Sequence, residues 1–265
     1  MRYTVVTTFN AAGYENYGRR MIQTWLATWP ADVELWVYAE QCTVAERAAN
    51  LRVFDLDTAS TELRAFKSKW SGVPKANGDV SADPVRSRRR DSGKGFKWDA
   101  VRFSHKVYSI FHAAAHADTD YLIWMDADMV CHSAINTNFI DQQCSAELCF
   151  LGRRGKFSEC GLYAMDLRSS RVRRWLAHFQ NMYDNAETGI FTLEEWHDSF
   201  VFDAVRKAVP VSECDWSSHI ITGEGHPLIN SAWGAYLDHL KGARKKQGRS
   251  AATDLKVPRQ ESYWR

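Results

Sequence analysis

Five consecutive apolar residues, Tyr121–Met125 (YLIWM), run directly into Asp126-Ala127-Asp128. A strand without polar alternation is buried on both faces, as strands are when helices cover both sides of a mostly parallel sheet. Tyr3–Phe9 (YTVVTTF) reads the same way and is rich in β-branched residues. The segment after it contains Gly13 and opens a predicted helix over 18–29, ended by Pro30. Val33–Ala39 and Leu51–Leu56 read as further strands, with a short helix predicted over 43–49 between them. This β-α-β-α-β rhythm predicts an α/β chain with a mostly parallel central sheet flanked by helices. Downstream, the pattern predicts a helix over 97–117, strands at Leu148–Leu151 and around Gly161–Met165, and helices near 171–181 and 195–209.

With 265 residues, 45% hydrophobic, the chain can bury one large core and is not a disordered polymer. We expect a single domain over 1–246 and a basic tail over 247–265. Residues 71–95, poor in large apolar side chains and rich in Gly, Ser, Pro and charge, read as a flexible basic loop or lid. No stretch approaches the roughly 20 apolar residues that a membrane span needs. The apolar strand begins almost at Met1, which leaves no room for a signal peptide. Six cysteines without a CxxC pair suit reduced thiols and argue against a zinc site. The expected location is therefore the cytoplasm, that of a host cell if the chain is viral.

Net charge is +2 but unevenly spread. Residues 86–102 carry +5 and residues 241–265 carry +6, leaving −9 on the remainder. Two concentrated positive runs on an acidic body suggest a site for phosphates or a polyanion, or else two solvated segments.

Asp126 and Asp128 follow a buried strand, so they stand at the carboxyl end of the sheet, where open α/β sheets bind ligands. Both can turn towards one divalent ion. Hard oxygen ligands suit Mg2+ or Mn2+, which in turn bridge the phosphates of a diphosphate.

IWMDADMV resembles the strand and DxD motif of nucleotide-sugar-dependent glycosyltransferases of the A-type fold, whose nucleotide-binding half is Rossmann-like. His239-Leu-Lys-Gly242-Ala-Arg-Lys245 reads HxxGxxK, similar to the closing motif of the glycogenin-like and retaining galactosyltransferase enzymes. The resemblance implies that His239 joins Asp126 and Asp128 on the metal, and that Gly242 and Lys245 approach the diphosphate of a donor, a UDP-sugar first. The family continues with Pro-Trp after the Lys, where this chain has Lys246-Gln247. Residues 157–166 resemble an acceptor-facing strand of the family, with Glu159 in place of the usual Asn, and Glu159 is taken as catalytic. Asp198, in Trp196-His197-Asp198, resembles the acidic motif beside the sugar. There it serves as general base, binds sugar hydroxyls, or caps its helix. Thr7, Thr8 and Phe9 stand where the family contacts the nucleobase. Arg102 and Lys106, one helical turn apart, share a face that can meet the diphosphate.

Other classes fit less of the sequence. Phosphatases of the haloacid-dehalogenase type place such a motif at the first strand, and a dinucleotide-dependent oxidoreductase needs a Gly-rich turn that Asn10-Ala-Ala-Gly13 does not supply. A non-catalytic nucleic-acid-binding protein would use Arg88, Arg89, Arg90 and Trp98, but leaves both anchor motifs unexplained. Those four residues are instead expected to bind a polyanionic acceptor. One such acceptor is DNA with a hydroxymethylated base, as in phage-type DNA glycosyltransferases, with the base extruded into the pocket. The other expected acceptor is a cell-surface or virion glycan.

Overall fold

The computed structural model describes residues 1–220, 226–242 and 244–265. Among the described residues nine strands form: β1 (Tyr3–Asn10), β2 (Glu34–Glu40), β3 (Leu51–Asp55), β4 (Tyr121–Met125), β5 (Met129–Cys131), β6 (Leu148–Leu151), β7 (Glu159–Asp166), β8 (Glu213–Asp215) and β9 (Leu237–His239). The principal helices are α1 (Arg19–Thr28), α2 (Thr61–Trp70), α3 (Ala100–His116), α4 (Thr137–Gln143), α5 (Ser170–Asp184) and α6 (Asp198–Ala208). Seven strands make one sheet in the order β3-β2-β1-β4-β7-β6-β8. All run in one direction except β7, which is antiparallel to both its neighbours. The expected mostly parallel α/β sheet is therefore what forms.

Side chains alternate across the sheet with the period of two that a strand imposes. Val6, Trp36, Tyr38, Leu122, Trp124 and Tyr163 enter the core beneath α2, α3, α5 and α6. Val5, Leu35, Val37, Ile123, Met125 and Leu162 enter the opposite core, with α1 and α4. Covering both faces explains why β4 contains no polar residue. The chain winds from β1 outward through β2 to β3, then returns to place β4 on the other side of β1. That reversal makes a switch point, so a crevice opens between the carboxyl ends of β1 and β4.

The helix expected over 43–49 is absent, because a side chain from elsewhere takes the backbone. Ala45 N–H donates to the Tyr14 hydroxyl at 2.9 Å, and that hydroxyl donates to Glu46 at 2.7 Å. Val44 is buried against the α1 side of the sheet while residues 42–48 form no regular secondary structure. Helix α2, which the sequence reading passed over, is capped by Ser60, whose Oγ accepts from Leu63 N–H at 3.1 Å. Its Leu63, Phe66 and Trp70 form the buried stripe.

Residues 71–95 contain short helical turns and lie against residues 193–196. Asn77 donates to the carbonyls of Trp70, Ser71 and Val73 at 2.9–3.1 Å. The last residues run back over the α1 side of the molecule. Tyr263 donates to Asp238 at 2.9 Å, and its ring stacks on His132 with centroids 4.1 Å apart. Trp264 donates to Gly234 O at 2.9 Å. No helix among the described residues is long and apolar enough to cross a membrane.

Candidate metal centre

Strand β4 ends at Met125, and Asp126 N–H still reaches β7, donating to Gly161 O at 2.8 Å. Met129 N–H then donates back to Asp126 O at 3.2 Å, so Asp126–Met129 is a tight turn. This turn is the local reason that carboxylates two residues apart point into one space. The chain leaves it as β5, which pairs antiparallel with β9 and sets Met129 opposite His239. Leu240 N–H closes the join on Asp128 O at 2.9 Å.

Ligand atoms of Asp126, Asp128 and His239 lie within 4.8 Å of one another. His239 Nε2 is 3.0 Å from Asp128 Oδ1 and 3.6 Å from Asp126 Oδ2. His239 is fully buried, and neither ring nitrogen has a hydrogen-bond partner among the described residues. The short approach to Asp128 lacks the angle of a hydrogen bond, although the distance alone would allow one. A buried lone pair left unmet beside two carboxylates fits a divalent cation, and one nitrogen with two oxygens suits Mn2+ or Mg2+.

Cations surround the acidic pair. Lys106, from α3, donates to Asp126 at 3.2 Å, to Asp198 at 2.8 Å and to Cys160 O at 2.5 Å. Burial would strip charge from Lys106, but Asp126 and Asp198 hold its pKa well above the usual lysine value. Trp124 adds an indole N–H to Asp126 at 2.7 Å. Lys245 lies 3.0 Å from Asp128 and 4.4 Å from the centre of the Tyr17 ring. Burial favours the protonated form of Asp128, yet His239 and Lys245 hold its carboxyl below the usual range.

A cavity of about 220 Å³ opens above this centre at the switch point, lined by Thr8, Phe9, Asn10, Tyr17, Glu40 and Arg102 besides the charged groups. Thr8 donates to Tyr38 O at 2.7 Å, and Phe9 stacks on Tyr14 with centroids 5.5 Å apart. Phe9 also packs against the α1 entry, where a Cβ on Gly18 would come within 2.8 Å of its ring. Thr7 is fully buried and does not line the cavity. Gly242 adopts a left-handed φ of 59° with open space around it.

Asp198 lines the same cavity, at the start of α6. His197, not Asp198, caps that helix. Burial raises the pKa of Asp198, and Lys106 outweighs it, so the carboxyl stays below its usual value. Glu159 does not line the cavity. It is 2% exposed, pairs with Lys241, and faces the far side of His239. Burial pushes its pKa up, and Lys241 and His239 more than reverse that.

The acceptor residues expected from the first basic run are not gathered here. Trp98 is fully buried, with its indole N–H on Glu194 O at 3.0 Å, and so offers nothing to a ligand. Arg89 is taken up by Asp91, Glu194 and Glu195. Arg88 and Arg90 are exposed, and no residue of 71–95 lines the cavity. The sequence reading also missed Trp124, Tyr17 and Lys241. Trp124 was the legible one, since two residues before Asp126 is the same face of a strand.

A larger cavity, about 600 Å³, lies beyond the β6–β7 connection and contains none of the metal-ligand candidates. Its carboxylates are occupied locally, Asp203 by Ser158 and Asp215 by Gly152 and Ser217. The smaller cavity is where the unmet chemistry lies.

No protein-family model and no curated protein matches the sequence. Among solved structures, the chain is similar to the apo form of the WbbM bifunctional glycosyltransferase, with 9% identity and a TM-score of 0.47. That match covers 82% of this chain and 39% of the other, so the chain spans well under half of that protein. It is also similar to apo mouse xyloside xylosyltransferase 1, with 12% identity, 81% and 85% of the two chains covered, and a TM-score of 0.46.

Proposed function

We propose that the chain is a metal-dependent glycosyltransferase that moves a sugar from a nucleoside-diphosphate sugar, a UDP-sugar first, to a hydroxyl acceptor. The observation that carries this reading is the convergence at the switch point of Asp126, Asp128 and buried His239, whose ring nitrogens have no hydrogen-bond partner among the described residues. Around His239, four carboxylates (Asp126, Asp128, Glu159, Asp198) face three ammonium groups (Lys106, Lys241, Lys245). A bound Mn2+ or Mg2+ would make this cluster net positive and supply Lewis-acid neutralisation of charge on a leaving diphosphate. Lys245 stands ready to join that diphosphate, and the left-handed, uncrowded backbone at Gly242 permits close approach. Thr8 and Phe9 shape the cavity wall for the nucleoside, with Arg102 at its rim.

Asp198 shares the Lys106 ammonium and is a poor proton acceptor. We therefore assign it to hold hydroxyls of the transferred sugar rather than to deprotonate the acceptor. The acceptor is a hydroxymethylated base in DNA or a cell-surface or virion glycan. Part of the basic excess that suggested DNA is spent inside the molecule, Arg89 on acidic neighbours and Arg244 on Asp254. All six cysteines are free thiols, which suits a reducing compartment, and we place the reaction in the cytoplasm.

The test is release of nucleoside diphosphate from a panel of nucleotide sugars, with Mn2+ and with chelator, then with hydroxymethylated DNA or glycan added. One donor should be hydrolysed in a metal-dependent way, and one acceptor should accelerate release. Asp128→Ala should lose turnover by at least about a thousandfold, the several kcal/mol that a Lewis acid supplies, while keeping its circular dichroism spectrum. Full activity in that variant would remove the metal centre from the mechanism.

A further inference from the structure

A neutral imidazole carries one N–H and one lone pair, and the group facing each nitrogen decides which is which. For His239 to give Nε2 to an ion, its proton must sit on Nδ1. Nδ1 has no hydrogen-bond partner among the described residues, and the ring is fully buried. The carboxylate oxygen on that side is Glu159 Oε1, 3.7 Å away. Glu159 opens β7, is itself 2% exposed, and pairs with Lys241, while Arg153 lies 3.7 Å from its other oxygen. The ring has little freedom to turn elsewhere. A Cβ on Gly161 would lie 2.7 Å from Nδ1 and closer still to Cε1, so the imidazole rests directly on the β7 backbone. The His226 ring closes another side, edge-on with centroids 5.2 Å apart.

We infer that Glu159 is a positioning residue of the metal centre, whose carboxylate takes the Nδ1–H side of His239 and leaves Nε2 to the ion, with Lys241 as its counter-ion. This rests on the metal-centre reading above. It moves Glu159 from the chemistry of the acceptor to the support of a ligand, the role that carboxylates commonly play behind metal-bound histidines. A carboxylate this buried, beside a Lys and two His, has no route to a substrate hydroxyl and a clear route to the ring.

The experiment is Mn2+ titration of the full chain, followed by the electron paramagnetic resonance signal of free Mn2+, with Co2+ absorption spectra as a second readout. The wild-type chain, Glu159→Ala and Glu159→Gln are compared, after thermal melts establish that each is folded. Glu159→Ala is expected to weaken Mn2+ binding by about 10- to 100-fold and to alter the Co2+ spectrum. Glu159→Gln keeps a side-chain oxygen as acceptor and should fall between the two, and it carries the test if the Ala variant does not fold. Wild-type affinity and an unchanged Co2+ spectrum in the folded variants would overturn the inference while leaving the metal centre in place. Absence of Mn2+ binding by the wild-type chain would overturn both.

Discussion

The two basic runs look alike as sequence and are used in opposite ways. In 86–102, Arg86 reaches Asp83 and Leu193 O and covers the Trp196 ring at 4.9 Å, while Arg89 and Lys97 share Asp91 and Glu195. These charges hold an irregular segment against the body, away from the cavity, and Arg102 at the end of the run is the exception that lines it. In 241–265, Lys241 and Lys245 enter the candidate metal centre from either side of Gly242, and Arg244 ties the segment down through Asp254. Charge density along a chain thus says that counter-charges are needed, and only the fold says whether protein or ligand supplies them.

That contrast can be broken by substitution. The largest effect is expected for Lys245→Ala, which removes a cation from Asp128. Measured kcat/KM for the donor should fall by about 100-fold, the usual cost of deleting one charge-stabilising donor, with little change in melting temperature. Arg86→Ala should do the reverse. It strips partners from Asp83 and Leu193 O and should cost about 1–3 kcal/mol. At roughly 2–4 °C per kcal/mol for a chain of this size, calorimetry should register it while specific activity stays within about twofold. The smallest effect is expected for Arg88→Ala with Arg90→Ala, both exposed. Stability should move by less than about 0.5 kcal/mol, and donor release should not move at all. Equal losses of activity from the two runs would show that the contrast is mistaken. A shallower salt dependence of DNA binding in the Arg88/Arg90 variant would sharpen it, by assigning those residues to an acceptor.

Legibility in the sequence followed the strength of the physical signal. β1, β2, β4, β6 and β7 announce themselves as runs dominated by apolar and β-branched residues, as strands covered on both faces are. β5, β8 and β9 have three residues each, too few for any period, and exist because of what lies opposite them. The helix expected over 43–49 lost to a tyrosine hydroxyl thirty residues earlier, which no local pattern can reveal. At the site, Asp126, Asp128 and His239 were placed by a motif, and the turn between β4 and β5 explains how they meet. Glu159 and Trp98 are more buried than their expected roles suggested, for one reason. A charged and an aromatic residue were both taken as ligand-facing, when each is itself buried and bonded to a residue distant in sequence.

The reversed direction of β7 has a consequence for how such a molecule can diversify. In a wholly parallel sheet, each strand sends one loop to the ligand edge and returns by way of a helix on the far side. Here β6 and β7 are antiparallel neighbours, so residues 152–158 cross directly from one to the other at the ligand edge. The connection is braced from within by Arg153, which donates to Phe157 O at 2.6 Å, and from α6 by Asp203, which accepts from Ser158. No helix intervenes in sequence between β6 and β7. Insertions or deletions there would reshape the rim beside Glu159 without re-registering any helical layer, which makes this hairpin the least costly place for inheritance to alter selectivity.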